Sequence, residues 1–284
     1  MSKVFVIDVA RCSGCYNCQL ACKDEHVGND WEHYAKPQPE IGQFWLKIQE
    51  NVCGSIPKVK IHYIPTLCNH CEDAPCIAAA RDGAVYRRDD GLVIIDPEKA
   101  VGQKQIVDAC PVGAIFWNEE EQIPQKCTMC AELLDDPDYP GFEPRCVEAC
   151  PNQALVFGDL ADPDSEISKL IAANKVTQLK ELGTMGSSVV HLNIPGKFLA
   201  GTVAYPEELE EVCIGAKVKV TCEECGTTYE TETNWAGDWE VEDLPEGKSW
   251  TVDITFPGFK PVCYKGERTD HDHYVGITYL EPAE

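Results

Sequence analysis

The chain has 284 residues, 44% of them hydrophobic, and sets 48 acidic against 24 basic side chains for a formal charge of −24. That length suits two or three domains, the acidic balance argues against a phosphate-backbone partner, so no nucleic acid is expected, and no run of about 18 apolar residues is present to span a membrane. The 17 cysteines, bunched a few residues apart, point away from a secreted disulfide scaffold and towards metal ligation.

The N-terminus, MSKVFVIDVARC, enters a strand-like run and then a cysteine. It lacks a charged segment followed by a long apolar core, so a cytoplasmic location is expected; export with a signal-bearing partner is the alternative. Cys12, Cys15, Cys18 and Cys22 follow as C-x2-C-x2-C-x3-C. In this spacing three thiolates embrace one [4Fe–4S] cube and the fourth reaches a neighbouring cube. Lys23 stands where proline usually follows, whereas Pro111 follows Cys110 and Pro151 follows Cys150. A structural zinc site fits less well, because it prefers two separated pairs.

The second run, Cys68, Cys71 and Cys76, has Ala80 where a fourth cysteine is expected. An internal repeat accounts for it. VIDVARC at 6–12 matches IIDPEKA at 94–100, an offset of 88 that carries the first run onto Ala100, Gln103, Ile106 and Cys110. The run Cys68, Cys71, Cys76, Ala80 matches Cys127, Cys130, Cys146, Cys150, with 11 extra residues before Cys146. Crossed ligation then gives three clusters: Cys12, Cys15, Cys18 with Cys150; Cys127, Cys130, Cys146 with Cys22; and Cys68, Cys71, Cys76 with Cys110. The fourth would need positions 80, 100, 103 and 106, which have all lost cysteine together. His70, between two ligands, is expected to hydrogen-bond to cluster sulfur or backbone, and Lys126 to tune a cluster potential by its charge.

Residues 160–183 read as a helix capped by Asp162, with Pro163 in its first turn, Gly183 at its end and an apolar stripe of Ile167, Leu170 and Ile171. Residues 187–198 read as a connector lying over a surface. From about 199 short alternating strands take over, AKVKVTC and TTYETET among them, and the LPEG and SWTVDI segments resemble a transthyretin-like or carboxypeptidase-regulatory-like β-sandwich. Cys222 and Cys225 sit at an apparent hairpin tip and, with Cys213 and Cys263, leave zinc, a local disulfide or free thiols open. Cys53 is expected to be a buried thiol, and DHDH at 270–273 a solvated turn.

The motifs CSGCYNCQLAC, CNHCEDAPC, CPVGAIFW, QKCTMC and CVEACP over residues 1–160 resemble the electron-transfer subunits of dimethyl-sulfoxide-reductase-family molybdenum and tungsten oxidoreductases. The missing cluster and the β-rich C-terminus narrow the resemblance to small subunits of the pyrogallol–phloroglucinol transhydroxylase type. The resemblance implies a large catalytic partner carrying molybdopterin guanine dinucleotide, a heterodimer, and chemistry on hydroxylated aromatics by hydroxyl transfer or reductive dehydroxylation. The expected fold is α+β: two interleaved bacterial-ferredoxin-like halves, residues 1–50 plus 120–160 around two clusters and 51–119 around one, then a helix and connector at 161–198 and an all-β domain at 199–284. No phosphate-cradling glycine loop, H-E-x-x-H or nucleophile elbow is present, so a non-catalytic subunit is expected. The alternatives are the electron-transfer subunit of a formate dehydrogenase or similar enzyme, or a stand-alone carrier or redox sensor.

Overall fold

A computed structural model of the chain describes residues 3–138, 141–177, 183–206 and 209–283. The chain divides into two compact units: residues 1–50 with 63–194, and residues 51–62 with 195–284.

The first unit is organised by the strand Lys3–Asp8, whose side chains alternate between two buried faces. Phe5 and Ile7 point to a core shared with Cys18, Cys22, Cys127 and Cys146. Val4 and Val6 pack with Leu192 and with Ile167, Leu170 and Ile171 of the helix Glu166–Ala173. The strand pairs antiparallel with Leu155–Asp159 (Phe5 opposite Phe157, Ile7 opposite Leu155) and parallel with Val189–Leu192 (Phe5 opposite Val189). The short strand Val176–Thr177 completes a four-stranded sheet. The expected 160–183 helix is therefore shorter. Asp162 accepts from the Asp164 N–H in a turn, and Ser165 caps instead, accepting from the Ser168 N–H at 3.3 Å. Gly183 stands in a turn beyond the helix, and residues 178–182 of that expectation lie outside the described residues. The expected connector at 187–198 is, over Val189–Leu192, a strand inside this sheet.

The internal repeat is written in the backbone. The Asp8 N–H donates to Ala154 O and the Asp96 N–H to Ala84 O, both at 2.8 Å. The pairing of Ile7 with Leu155 has its counterpart in Ile95 with Val85, across the hairpin Val85–Arg87 and Val93–Ile95. Between these strands the chain makes one-turn helices, such as Pro75–Ala79, Gln105–Asp108 and Arg145–Glu148. Such turns are too short to persist alone.

The second unit takes in the tip of the hairpin Leu46–Ser55 and Lys58–Leu67, residues that the cysteine spacing assigns to the second ferredoxin half. It resumes at Pro195 and holds a three-stranded sheet, in order Asp238–Leu244, Lys197–Ala204, His273–Tyr279. A four-stranded sheet has the order Thr228–Glu232, Lys217–Cys222, Ser249–Thr255, Val262–Arg268. Inner positions recur every second residue, as period-2 patterning requires: Val218, Val220 and Cys222 on one strand, Trp250, Val252 and Ile254 on the next. They share one core with Leu199, Val203, Trp239 and Val241 of the other sheet. Cys53 is half-exposed on its hairpin rather than buried, because that strand lies at the unit's surface. In the 270–273 segment Asp272 is buried and accepts from the Phe198 N–H, so the segment is only partly a solvated turn. Among the described residues no helix is long and apolar enough to cross a membrane.

Candidate metal centres

The first cysteine loop follows the short turn Val9–Arg11, which Asp8 caps through the Ala10 N–H. Gly14 and Tyr16 both take positive φ, +67° and +63°, folding the loop back on itself. A Cβ at Gly14 would sit 2.5 Å from the Tyr63 ring, so glycine is required twice over. The helix Asn17–His26 then places Cys18 and Cys22 one turn apart, both buried. Cys12, Cys15, Cys18 and Cys150 line one concavity. Burial pushes the Cys18 thiol up to about 12, and Cys150, Cys12 and Cys15 push in the same direction.

A second group is wholly buried: Cys22, Cys127, Cys130 and Cys146. Burial drives all four thiols up, and neighbouring thiols add to the effect. A third group, Cys68, Cys71, Cys76 and Cys110, lines another concavity with Val93 and Ile115. Cys71 is pushed up to about 11, first by burial and then by Cys68 and Cys110.

Similar loop chemistry recurs at the three. The residue before the second cysteine has positive φ each time: Gly14, His70 and Met129. Backbone N–H groups aim at sulfur: Ala154 at Cys150 (3.2 Å), Met129 at Cys127 (3.3 Å) and Ala114 at Cys110 (3.3 Å). Such donors favour a charged, metal-bound sulfur. Thiolates crowded together in an apolar interior are costly unless a cation offsets them. Four-thiol sets with N–H···S donors therefore fit an iron–sulfur cube.

The second group lies between the other two. Cys146 is raised by Cys18, and Cys127 by Cys68. Two polar side chains tie the second and third groups together. His70 is buried; its Nδ1 accepts from the Val93 N–H at 2.9 Å, which fixes Nε2–H as the donor to Cys127 O at 3.1 Å. Burial, then the Lys126 charge, hold its pKa well below the usual value. Of the two roles expected for His70, the backbone one is observed. The Lys126 ammonium, 3% exposed, donates to Val93 O and to Cys127 O and lowers both Cys76 and Cys127. Lys126→Met is expected to lower the midpoint potential of the adjoining clusters, since removing a cation disfavours adding an electron. A unit charge about 10 Å away at an effective dielectric of about 20 contributes roughly 1.7 kcal/mol, or about 70 mV for a one-electron couple. Redox titration followed by electron paramagnetic resonance checks this; unchanged potentials would remove Lys126 from the account.

Sequence spacing missed two buried neighbours of the second group. His26 Nε2 lies 3.6 Å from Glu132 Oε1, and both contribute to a close grouping with Cys130. Burial pushes His26 down to about 3 and Glu132 up to about 7. The only signals were positional: His26 falls four residues after Cys22 on the same helix face, and Glu132 two after Cys130.

At the fourth repeat position no cysteine set assembles. Ala80, Ala100 and Ile106 join a hydrophobic cluster beside Cys76 and Cys110. Gln103 fills the polar remainder: its Oε1 accepts from the Arg81 N–H at 2.8 Å and its Nε2 donates to Lys99 O at 2.8 Å.

Residues 59–160 match the 4Fe-4S dicluster domain family. The chain is 38% identical over 263 residues to the pyrogallol hydroxytransferase small subunit of Pelobacter acidigallici, covering 89% of this chain and 90% of that one. It is 32% identical over 235 residues to the arsenate respiratory reductase iron-sulfur subunit of a Shewanella species (66% and 94% covered). It is 35% identical over 187 residues to a subunit of the sulfite dehydrogenase of Allochromatium vinosum (63% and 78% covered). Bunched, buried thiols on a ferredoxin-like scaffold, matched along most of the chain, place it in a family: the chain belongs to the iron–sulfur, electron-transfer subunits of dimethyl-sulfoxide-reductase-family molybdenum and tungsten oxidoreductases.

Proposed function

We propose that the chain carries three [4Fe–4S] clusters and serves a molybdopterin enzyme acting on hydroxylated aromatic compounds, by hydroxyl transfer or reductive dehydroxylation. Cluster one is held by Cys12, Cys15, Cys18 and Cys150, cluster two by Cys22, Cys127, Cys130 and Cys146, and cluster three by Cys68, Cys71, Cys76 and Cys110. The observation that carries the count is the pairing of three four-thiol groups with one repeat position filled by Ala80, Ala100, Ile106 and a hydrogen-bonded Gln103. Bound there, the clusters supply one-electron chemistry. The chain's own residues hold them in series, exclude water from the middle site, and present N–H donors to sulfur.

The repeat hydrogen bonds of Asp8 and Asp96 support two interleaved ferredoxin-like halves. The catalytic group, molybdopterin guanine dinucleotide with molybdenum or tungsten, belongs on this reading to a large partner in a cytoplasmic heterodimer, and the chain has no active site of its own. The aromatic substrate class rests on the relative that spans nearly the whole chain, the other two spanning about two thirds. The C-terminal unit is an accessory module of transthyretin-like type, supported by its two sheets over one core.

Anaerobic purification of the native complex, with mass spectrometry of its chains and metal analysis, tests the reading. About twelve irons per copy, a large molybdopterin subunit and turnover of a polyhydroxylated benzene are expected. Near sixteen irons would overturn the cluster count, and a chain isolated without molybdenum or tungsten would overturn the partner. Iron removal separates the two units: chelation is expected to unfold the first, whose short helices depend on the metal, while the second keeps its own cooperative transition on its tryptophan-rich core. Two-step against one-step loss of circular dichroism reads this out.

A further inference from the structure

The thiols at the hairpin turn Cys222-Glu223-Glu224-Cys225-Gly226-Thr227 take no part in the three cysteine groups. The turn is closed by Cys222 N–H to Thr227 O at 2.8 Å and Gly226 N–H to Cys222 O at 3.0 Å. Residues three apart in such a turn have Cα atoms within about 7 Å, which overlaps the reach of a disulfide. The Cys225 N–H donates to Cys222 Sγ at 3.3 Å, so the first sulfur already lies over the second residue.

The two thiols are unequal. Cys222 is 1% exposed and packs in the sandwich core, whereas Cys225 is open to solvent. The Cys222 thiol donates to Glu224 Oε2 at 3.4 Å and the Cys225 thiol to the Thr227 hydroxyl oxygen at 3.2 Å. Its neighbours, Cys222 first and then Thr227, lower the Cys225 pKa to about 7, while Cys222 is raised. The adjacent Glu224 carboxylate is engaged by the Ser249 N–H at 3.2 Å. A zinc knuckle finds no second pair here: Cys213 is buried in the core, and Cys263 is exposed on the strand Val262–Arg268. Among the described residues no three-donor grouping includes these cysteines.

We infer that Cys222 and Cys225 form a thiol–disulfide exchange site, with Cys225 as nucleophile, Cys222 as resolving thiol and a low-molecular-weight disulfide as co-reactant. The Cys225 thiolate attacks one sulfur of the disulfide; a Cys225 mixed disulfide forms and one thiolate leaves, taking a proton from solvent. Cys222 then gives its proton to solvent and attacks Cys225 Sγ, releasing the second thiolate, which is protonated in turn. The hairpin dithiol is oxidised by two electrons, and the disulfide is reduced to two thiols.

The test uses the anaerobically purified complex in glutathione–glutathione disulfide mixtures of graded ratio at pH 7, quenched with acid. Trypsin releases Val220–Lys248, which holds Cys222 and Cys225 and no other cysteine. The peptide is expected to lose about 2 Da reversibly as the mixture becomes oxidising. In Cys222→Ser a glutathione adduct should accumulate on Cys225; in Cys225→Ser none should form on Cys222. A measurement on the unaltered chain guards against a misfolded variant. Iodoacetamide should alkylate Cys225 at least about tenfold faster than the exposed Cys263, whose thiol is raised by Asp253. A peptide that stays reduced throughout the series, or equal alkylation of Cys225 and Cys263, would overturn the site.

Discussion

Cys22→Ala is expected to cost the chain the cluster of Cys127, Cys130 and Cys146 and to leave the cluster of its own run, Cys12, Cys15 and Cys18, in place. Cys22 is fully buried, and its thiol is raised, after burial itself, by Cys127 first and Cys18 last of the named neighbours. Cys150, by contrast, is the first charged neighbour of both Cys12 and Cys18. Cys22→Ala alone should lower iron from about twelve to about eight per chain on crossed and on uncrossed ligation alike, so a single variant does not distinguish the two. Paired variants do. If ligation is crossed, Cys22→Ala with Cys146→Ala removes one cluster only, because both changes strike the same cube. Cys22→Ala with Cys15→Ala removes two, leaving about four irons. Uncrossed ligation gives the reverse pattern. Since residues of one network are strongly non-additive and separate ones add, iron content reads the assignment directly. The C-terminal unit's transition in the same sample reports whether the rest of the chain has folded.

The cysteine pattern was legible because a cube constrains its ligands locally: three thiolates must come from one tight loop, and only a few spacings permit it. Gly14 could have added to that signal, since the loop takes a left-handed residue there. His70 and Met129 take the same conformation without glycine and so gave no warning. The polar neighbours of the second group were hidden for a different reason. His26 and Glu132 meet only when the helix Asn17–His26 is brought beside the loop at Cys130, more than a hundred residues later. Local reading also overextended the helix at 160–183. It took Asp162 as the cap, when the carboxylate serves a turn and Ser165 starts a helix that ends at Ala173. The strand Val189–Leu192 looked like a connector because its partner is Lys3–Asp8, a parallel pairing that no short window contains. In the C-terminal unit the alternation of buried and exposed residues in Lys217–Cys222 is the period-2 signal itself.

Restoring cysteine at positions 80, 100, 103 and 106 is expected to raise iron from about twelve to about sixteen per chain. The backbone around the lost site remains close to that of its counterpart. Asp96 repeats the Asp8 hydrogen bond, and Asp96 also accepts from the Glu98 and Lys99 N–H groups to turn the chain towards Ala100. What has changed is the filling. The methyl groups of Ala80 and Ala100 and the Ile106 side chain put apolar contact where thiolates would stand, and Gln103 answers the Arg81 and Lys99 backbone. Gln103→Cys alone should therefore bind no iron and should destabilise the unit by about 0.5–1.5 kcal/mol, the net contribution of a hydrogen bond to part-buried backbone groups that water can reach. The quadruple variant Ala80→Cys, Ala100→Cys, Gln103→Cys, Ile106→Cys breaks the same hydrogen bonds but gains a cube that ties both repeat segments together. Its stability should gain a dependence on iron beyond that of the three other clusters, and the single variant's should not. A new electron paramagnetic resonance signal on reduction, together with the added iron, would mark a fourth cluster beyond Cys76 and Cys110. A folded quadruple variant that stays at about twelve irons would mean that the scaffold at this position has diverged in more than its ligands, and that the repeat alignment on which the cluster count rests is wrong there.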